Sequence, residues 1–362
     1  MSTPLKNLFF QPDFFNELVA EIKKVYPAFD GDGYLSTVFD ENWESLELKA
    51  RMIHGARSLH DFLPENYTEA LAILVPISEK FTGFDAIMFC QYVEEFGLEH
   101  FEASMRALEI TTVDASAEGA IRPFIIRYPE RAMQQMLDWT KHENEHVRRL
   151  ASEGCRPLLP WNIRLNQFVK DPTPILPILE TLKADDSLYV RKSVANNLND
   201  LSKNHPDLVL DIAERWYGDN DHTNWIVKHA LRTLLKKGNQ HALSIFGFGD
   251  VDDVTVSNLT VIPDPIVIGD DLFFSFDLLL KADQTKKLRL EYAIHYVKAN
   301  GKRSKKVFQI SEREVTPNTS HTIKSKQSFR NMTTRKHYPG QHKIEILVNG
   351  ISKAQAAFMV TE

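Results

Sequence analysis

One pattern occurs three times between residues 129 and 231, and it constrains the fold more than any other feature of the chain. Pro129 opens ERAMQQMLDW, the polar stretch KHENE follows, and His146-Val147-Arg148-Arg149-Leu150-Ala151 closes the unit. Pro174 and Pro177 open ILETL, then KADDS, then Tyr189-Val190-Arg191-Lys192-Ser193-Val194-Ala195. Pro206 opens DLVLDIAERW, then YGDNDHTN, then Trp225-Ile226-Val227-Lys228-His229-Ala230-Leu231. Each unit reads as a helix begun by proline, a polar turn, and a second helix that starts with valine and a basic residue. A helix pair of about 40 residues cannot bury its apolar face alone, and successive pairs supply a continuous core by stacking. The spacing therefore predicts a HEAT-like helical-repeat solenoid with a concave face.

Helical periodicity extends upstream, in Phe14, Leu18, Ile22 and Val25 and in Leu46, Ala50, Ile53 and Leu59. From about residue 250 the texture changes. VTVSNLTVI, LFFSFDLLL, LRLEYAIHYV, KKVFQI, HTIKSKQSF, HKIEILV and AQAAFMV read as strands, and Asn300-Gly301 and Asn349-Gly350 each lie between two of them as hairpin signals. Such a series of short strands predicts an all-β immunoglobulin-like sandwich, although no Cys–Trp–Cys core is present. A chain of 362 residues also exceeds what one core organises. The expected division is a helical domain over 1–248 and a sandwich over 249–362.

The net charge of −6 conceals an asymmetry. Residues 1–119 carry 8 Lys and Arg against 21 Asp and Glu, residues 120–250 carry 18 against 16, and residues 251–362 carry 17 against 12. An acidic front and a basic back point to a polyanion as partner of the later part. With 43% hydrophobic and 25% charged residues the chain is globular rather than disordered. No apolar run approaches the roughly 20 residues that span a bilayer, and MSTPLKNLFFQPDFF has no signal-peptide pattern. Cys90 and Cys155 make neither a disulfide framework nor a cysteine zinc site. A cytoplasmic protein with no membrane association is expected.

The second helix of each unit places Arg148 and Arg149, Arg191 and Lys192, and Lys228 in its first turn. Cations there oppose the helix macrodipole. Two readings stay open: a ladder of cations and helix N-termini facing phosphates, or salt bridges to the acidic turn that precedes each helix. His142-Glu143-Asn144-Glu145-His146 matches the H-E-x-x-H zinc signature. It occupies the place of the interhelical turn in the repeat, however, so the continuous helix that a zinc site needs is interrupted, and no metal is assigned. Asp30-Gly31-Asp32-Gly33 lacks the rest of a calcium loop and reads as a turn.

A sharper constellation follows. RPFIIRYPERA, VRRLASEGCRPLLPW (147–161) and YVRKSVANNLNDLSKNHPD (189–207) resemble, in order, the bacterial DNA alkylation repair glycosylases built from HEAT-like repeats, and specifically the AlkC branch of the AlkC/AlkD superfamily. FDGDGYLSTVFDENWESLELKARMIHGARSLHDFLPENYTEALAIL resembles the same branch, so the likeness covers about residues 10–245. Some members carry an immunoglobulin-like C-terminal domain. The resemblance implies a monofunctional enzyme that hydrolyses the N-glycosidic bond of cationic alkylated bases, notably 3-methyladenine and 3-methylcytosine, in double-stranded DNA, without base flipping. It also implies functional roles for Glu118 of AEGAIRP, Glu153 of ASEGCRP, Trp161 of RPLLPW and Asp200 of NNLND.

The chemistry of these residues agrees. Loss of an alkylated base develops positive charge on the deoxyribose. Glu153 and Asp200 on adjacent repeats could stabilise that charge and hold the attacking water, and the Trp161 π face could pack on the sugar. A cationic base leaves as a neutral molecule, so neither a general acid nor a deep pocket is required. The competing roles are ordinary ones: a solvated or salt-bridged acid for each carboxylate, a packing cap for Trp161, and core positions for Trp139 and Trp216. Arg156 joins Arg148, Arg149, Arg191, Lys192 and Lys228 as an expected DNA contact. In the sandwich, 16 Lys and Arg face 4 Asp and Glu between Gln284 and Lys353. Lys302, Arg303, Lys305 and Lys306 follow a hairpin turn, in a loop region where such domains bind. The expectation is a monomer acting on DNA with no cofactor. The rival is a non-catalytic repeat scaffold binding DNA or protein through its concave face, and convergence of Glu153, Asp200 and Trp161 would decide against it.

Overall fold

The computed structural model describes residues 3–333 and 335–362. Among the described residues sixteen α-helices precede eight β-strands, and the chain divides into two compact units. The first holds the chain up to Asn204 together with Gly218–Ala230; the second holds His205–Tyr217 and Leu231–Glu362. The expected boundary at 248 falls between the helix Gln240–Ile245 and the first strand, within the second unit.

In the first unit the N-terminal helix Pro12–Val25 buries Phe14, Phe15, Leu18, Val19 and Ile22, while Val25 at its end is exposed. Phe15 meets Phe39 and Trp43 edge-on, with ring centroids 5.4 and 5.5 Å apart. Asp30-Gly31-Asp32-Gly33 starts a helix, Gly31–Val38, in which the Asp30 carboxylate caps Gly33 N at 3.0 Å. A short carboxylate side chain is well suited to that N-cap position.

The repeat pattern resolves into Pro129–Trp139 then Glu145–Gly154, and Leu176–Leu182 then Leu188–Leu201. The third pair is Pro206–Trp216, in the second unit, and Asp221–Ala230, in the first. The helix Leu188–Leu201 packs against both Glu145–Gly154 and Asp221–Ala230, so the second helices form one layer in repeat order. The recurring valines explain that layer: Val147, Val190 and Val227 are all core residues, as are Trp139 and Trp216. Each layer helix begins at a side-chain cap supplied by the polar turn. Asn144 Oδ1 accepts from His146 N at 2.8 Å, and Ser187 Oγ accepts from Tyr189 N at 3.2 Å.

The second unit contains a sandwich of β1 (Val254–Ile262), β2 (Ile266–Val267), β3 (Asp271–Leu280), β4 (Lys286–Val297), β5 (Arg303–Val315), β6 (Ser320–Ser328), β7 (Gly340–Val348) and β8 (Ile351–Thr361). One sheet has the order β1-β3-β6 and the other β2-β8-β7-β4-β5, with β2 parallel to β8 and every other pairing antiparallel. Along β3 the period of two puts Leu272, Phe274, Phe276, Leu278 and Leu280 into the core. Seven strands coincide with the expected runs, and two residues at 266–267 add the eighth. Both Asn-Gly pairs close hairpins, β4–β5 and β7–β8. In the second, Asn349 and Gly350 have φ of 46° and 75°, the left-handed pair that a tight hairpin requires. Interior strand β4 is buried on both faces, and the segment after the last helix is tied to this sheet: Lys287 Nζ donates to Phe246 O at 3.0 Å and Asn349 Nδ2 to Gly249 O at 2.8 Å.

Candidate active site

The layer of second helices brings two carboxylates together. Glu153 stands in the last turn of Glu145–Gly154 and Asp200 in the last turn of Leu188–Leu201, 5% and 3% exposed. Arg156, just past the first of these helices, bridges them: Nη1 donates to Glu153 Oε1 at 2.6 Å and Nε to Asp200 Oδ2 at 3.0 Å. Lys203 Nζ donates to Asp200 Oδ1 at 2.9 Å. On the other flank Arg149 Nη2 lies 3.5 Å from Glu153 Oε1, and its Nη1 donates to Glu118 Oε2 at 2.9 Å and Ser116 Oγ at 2.7 Å. Glu118, Arg149, Glu153, Arg156, Asp200 and Lys203 thus form one row of alternating charge.

That row is an unusual thing to build for stability alone. A carboxylate in the last turn faces the negative end of the helix dipole, at a cost of about 0.3–1 kcal/mol even where exposed, and burial adds desolvation. The guanidinium groups offset both. Burial draws the Arg149 guanidinium down, but Glu118 and Glu153 beside it more than restore it; Arg156 is likewise drawn down by burial and raised further by Glu153 and Asp200. Both cations are thereby fixed as charges, and each carboxylate is held in one orientation. The Arg149 guanidinium also lies over the Tyr189 ring, 5.0 Å from its centroid.

Trp161 is placed differently from a packing cap. Its side chain is 77% exposed and its φ is +65°, a left-handed backbone that non-glycine residues rarely hold. The loop carrying it is fixed from beneath by Arg122, a fully buried residue. Arg122 Nη1 donates to Gly154 O at 2.7 Å and Arg156 O at 2.9 Å, and Nε to Ile163 O at 2.7 Å. Burial lowers this guanidinium to about 10, still protonated at neutral pH. Trp161 and Glu118 also line a common cavity with residues of the helices Leu48–His60 and Ile87–Phe96. The sequence had suggested a site without a pocket; the apolar and acidic side chains of two distant N-terminal helices assemble this one.

The remaining expected contacts divide by environment. Arg148 makes two bonds to Asp185 (2.7 and 3.1 Å) and two to the carbonyls of His142 and Glu143 (3.0 and 2.7 Å). Arg191 donates to the carbonyls of Asp185 and Asp186 at 2.6 and 2.9 Å. Both tie interhelical turns: Arg148 pairs with Asp185 of the following repeat's turn, and Arg191 holds the turn before its own helix through backbone carbonyls. Lys192 and Lys228 are exposed. In the second unit Lys302 is in the turn, whereas Arg303, Lys305 and Lys306 lie on edge strand β5 rather than in a loop. The edge strand extends their region because β5 pairs with β4 from Arg303 onward. Lys305 Nζ meets Glu345 Oε2 at 2.9 Å and Arg303 donates to Gln341 Oε1 at 3.1 Å. Burial and the nearby charges of Arg335 and Lys236 lower the Lys306 ammonium, which marks a patch of like charge.

The H-E-x-x-H segment is not one helix. Asn144 is the N-cap, so His142 lies outside the helix that begins at Glu145, and its Nδ1 accepts from Asn144 N at 3.0 Å. Among the described residues no group of His, Cys, Asp and Glu is arranged to hold a metal ion. Sequence reasoning missed Arg122, Lys203 and Glu94, the last an acid of the cavity. Arg122 carried a readable signal, an arginine between Ile121 and Phe124–Ile125 where apolar residues pack; Glu94 carried none.

The helical repeats followed by a sandwich are the architecture of a known class of protein. The DNA alkylation repair enzyme family matches residues 86–234, and the family described as uncharacterised protein YhaZ, C-terminal Ig-like domain, matches residues 255–362. Over 99% of its length the chain is similar to the alkylpurine DNA glycosylase AlkC of Pseudomonas fluorescens, solved bound to DNA containing an abasic site analog, with 41% identity, all of that chain covered, and a TM-score of 0.95. It is 46% identical to the uncharacterized protein YhaZ of Bacillus subtilis, across 97% of this chain and 98% of that one. The chain belongs to the AlkC branch of the DNA alkylation repair enzymes.

Proposed function

We propose that the protein is a DNA glycosylase that hydrolyses the N-glycosidic bond of cationic alkylated bases, 3-methyladenine and 3-methylcytosine, in duplex DNA. The observation that carries the reading is the pair Glu153 and Asp200, buried and joined through one guanidinium, in a chain whose full-length relative is an alkylpurine DNA glycosylase. As the base departs, positive charge grows on the deoxyribose, and carboxylates already fixed in place stabilise it without reorganising. Lys203 is the most exposed partner of Asp200, with a side chain 41% exposed. A phosphate that draws Lys203 away frees Asp200 Oδ1 for the sugar or for the attacking water. Trp161, outside the core and on a tethered loop, offers its ring to the sugar face.

A base that is already cationic leaves as a neutral molecule, so the carboxylates act on the sugar and the base need not be flipped out of the duplex. Lys192 and Lys228 with Arg149 and Arg156 on the repeats, and Lys302, Arg303, Lys305 and Lys306 on the sandwich, supply the cations for the DNA backbone; Arg148 and Arg191 shape the turns beside them. The protein acts as a monomer in the cytoplasm, without metal or cofactor. Incubation with N-methylated duplex DNA, followed by chromatography of released bases in the presence and absence of EDTA, tests the proposal. Release of 3-methyladenine unaffected by EDTA is expected. No release by pure, folded protein would return the chain to the scaffold reading.

A further inference from the structure

The cavity beside Trp161 and Glu118 measures about 180 Å³ and lies wholly within the first unit. Its volume exceeds the roughly 150 Å³ that accommodates a benzene ring. Leu48, Ile87 and Trp161 give it apolar walls, and Glu94, Glu118 and Asn162 give it acceptors. Lys49 is the one basic residue among the described lining, and its Nζ is committed to Trp161 O at 3.3 Å. Gly119 sits at the edge, where a Cβ would meet Asn162 Oδ1 at 2.6 Å, so the glycine lets that amide lie against the wall. Nothing in the reaction derived above uses Glu94, Asn162 or the space between them.

We infer that this cavity binds a free amino-substituted purine or pyrimidine, namely the base released when the glycosidic bond breaks. The identity of the ligand's source rests on the glycosylase reading; the chemistry of the pocket does not. A flat heteroaromatic ring fits a slot walled by aliphatic side chains and an indole. Its exocyclic amine is a donor, and the polar wall offers carboxylate and amide acceptors, of which an ionised carboxylate forms a short charge-assisted bond. A carbonyl in place of the amine would set lone pairs against those acids. Glu94 accepts no hydrogen bond from the described residues, and its carboxyl is pushed up by burial, with Lys49 opposing and Glu95 adding to the rise. A donor from the ligand would relieve that burial cost. The cavity shares Glu118 with the row of charge, and Trp161, the residue assigned to the sugar face, is part of its wall, so it adjoins the groups that serve the sugar.

The test is calorimetric titration of the full-length protein with free 3-methyladenine, alone and after saturation with a duplex bearing an abasic-site analogue. One site per chain in both arms is expected, with hypoxanthine binding more weakly. Glu94→Gln should weaken the base by about tenfold through loss of a charge-assisted bond. Leu48→Trp, at a half-buried position in the first turn of its helix, should fill the slot and abolish binding; circular dichroism checks its fold, and Glu94→Gln decides alone should it fail to fold. Absence of binding to wild type, unchanged binding in both folded variants, or exclusion of the base by the abasic duplex would each overturn the inference. An excision assay on the same wild-type preparation separates the two claims. Excision without base binding refutes the pocket and leaves the glycosylase reading; base binding without excision supports the pocket and refutes that reading.

Discussion

Asp200→Asn is the most informative single change. Asparagine keeps the shape and removes one negative charge from a site 3% exposed. A unit charge about 4 Å from a developing cation is worth about 4 kcal/mol at an effective dielectric of 20. Arg156 and Lys203, at 3.0 and 2.9 Å, already compensate part of the Asp200 charge. The loss therefore belongs near the range found on removing one preorganised group elsewhere, about 2.7–4 kcal/mol or 10²–10³-fold in rate. Stability also falls, because the new amide must turn its NH2 toward either Arg156 or Lys203, both donors; one mispaired buried group costs about 1–3 kcal/mol. DNA affinity should hold or tighten, since a charge of the same sign as DNA is gone. Single-turnover release of 3-methyladenine at saturating protein, with fluorescence-polarisation binding and a thermal melt, reads all three quantities. A rate within threefold of wild type, in a variant that binds DNA, would remove Asp200 from the chemistry.

Other expectations follow from the same geometry. Arg156→Met strips Glu153 and Asp200 of their shared cation and should destabilise the helical unit by about 3–5 kcal/mol, the usual effect of breaking a buried pair; urea denaturation checks it, and a loss below 1 kcal/mol would mean the row is more hydrated than its burial indicates. Trp161→Gly should stabilise the fold by about 1 kcal/mol, because glycine holds φ +65° without strain and a 77% exposed ring contributes little packing, while excision falls; a lower melting temperature would contradict this. Glu345→Gln tests the sandwich. Burial raises the Glu345 carboxyl, but hydrogen bonds from His295, Lys305 and Ser352 outweigh it and bring it to about 2 from the ordinary 4.5. A carboxyl depressed in the folded state stabilises above its unfolded pKa and stops doing so as pH falls through the folded one. The melting-temperature gap between wild type and variant should be full above pH 4.5 and close toward pH 2; a gap independent of pH would refute the assignment.

Much of this fold is legible in the sequence because periodic burial has few solutions. Val147, Val190 and Val227 recur because each fills the same place in a stacked layer, and the alternation of β3 leaves its residues one way to face the core. The hairpins are fixed by Asn-Gly, whose backbone preference is local. The positions of charge are less legible. Arg148 and Arg149 are neighbours of the same type, yet one ties a turn and the other joins the row of carboxylates, a difference set by what the adjacent repeat presents. The cavity is harder still to foresee, since Leu48, Glu94, Glu118 and Trp161 come from four separate segments. The compact units are also a tertiary matter: Pro206–Trp216 has the sequence of a repeat helix but groups with the second unit.

In the proposed reaction fixed carboxylates stabilise charge on the sugar and the substrate base supplies its own leaving-group activation. Single-turnover release from four matched duplexes, carrying 3-methyladenine, 3-methylcytosine, hypoxanthine or uracil, tests it most directly. Uracil and hypoxanthine leave as anions unless protonated, and the residues on the sugar side offer no acid. Release of the two cationic bases with the two neutral ones left in place is the predicted result. Comparable rates on all four would mean that a proton donor acts on the leaving base and that the carboxylates alone do not set the selectivity.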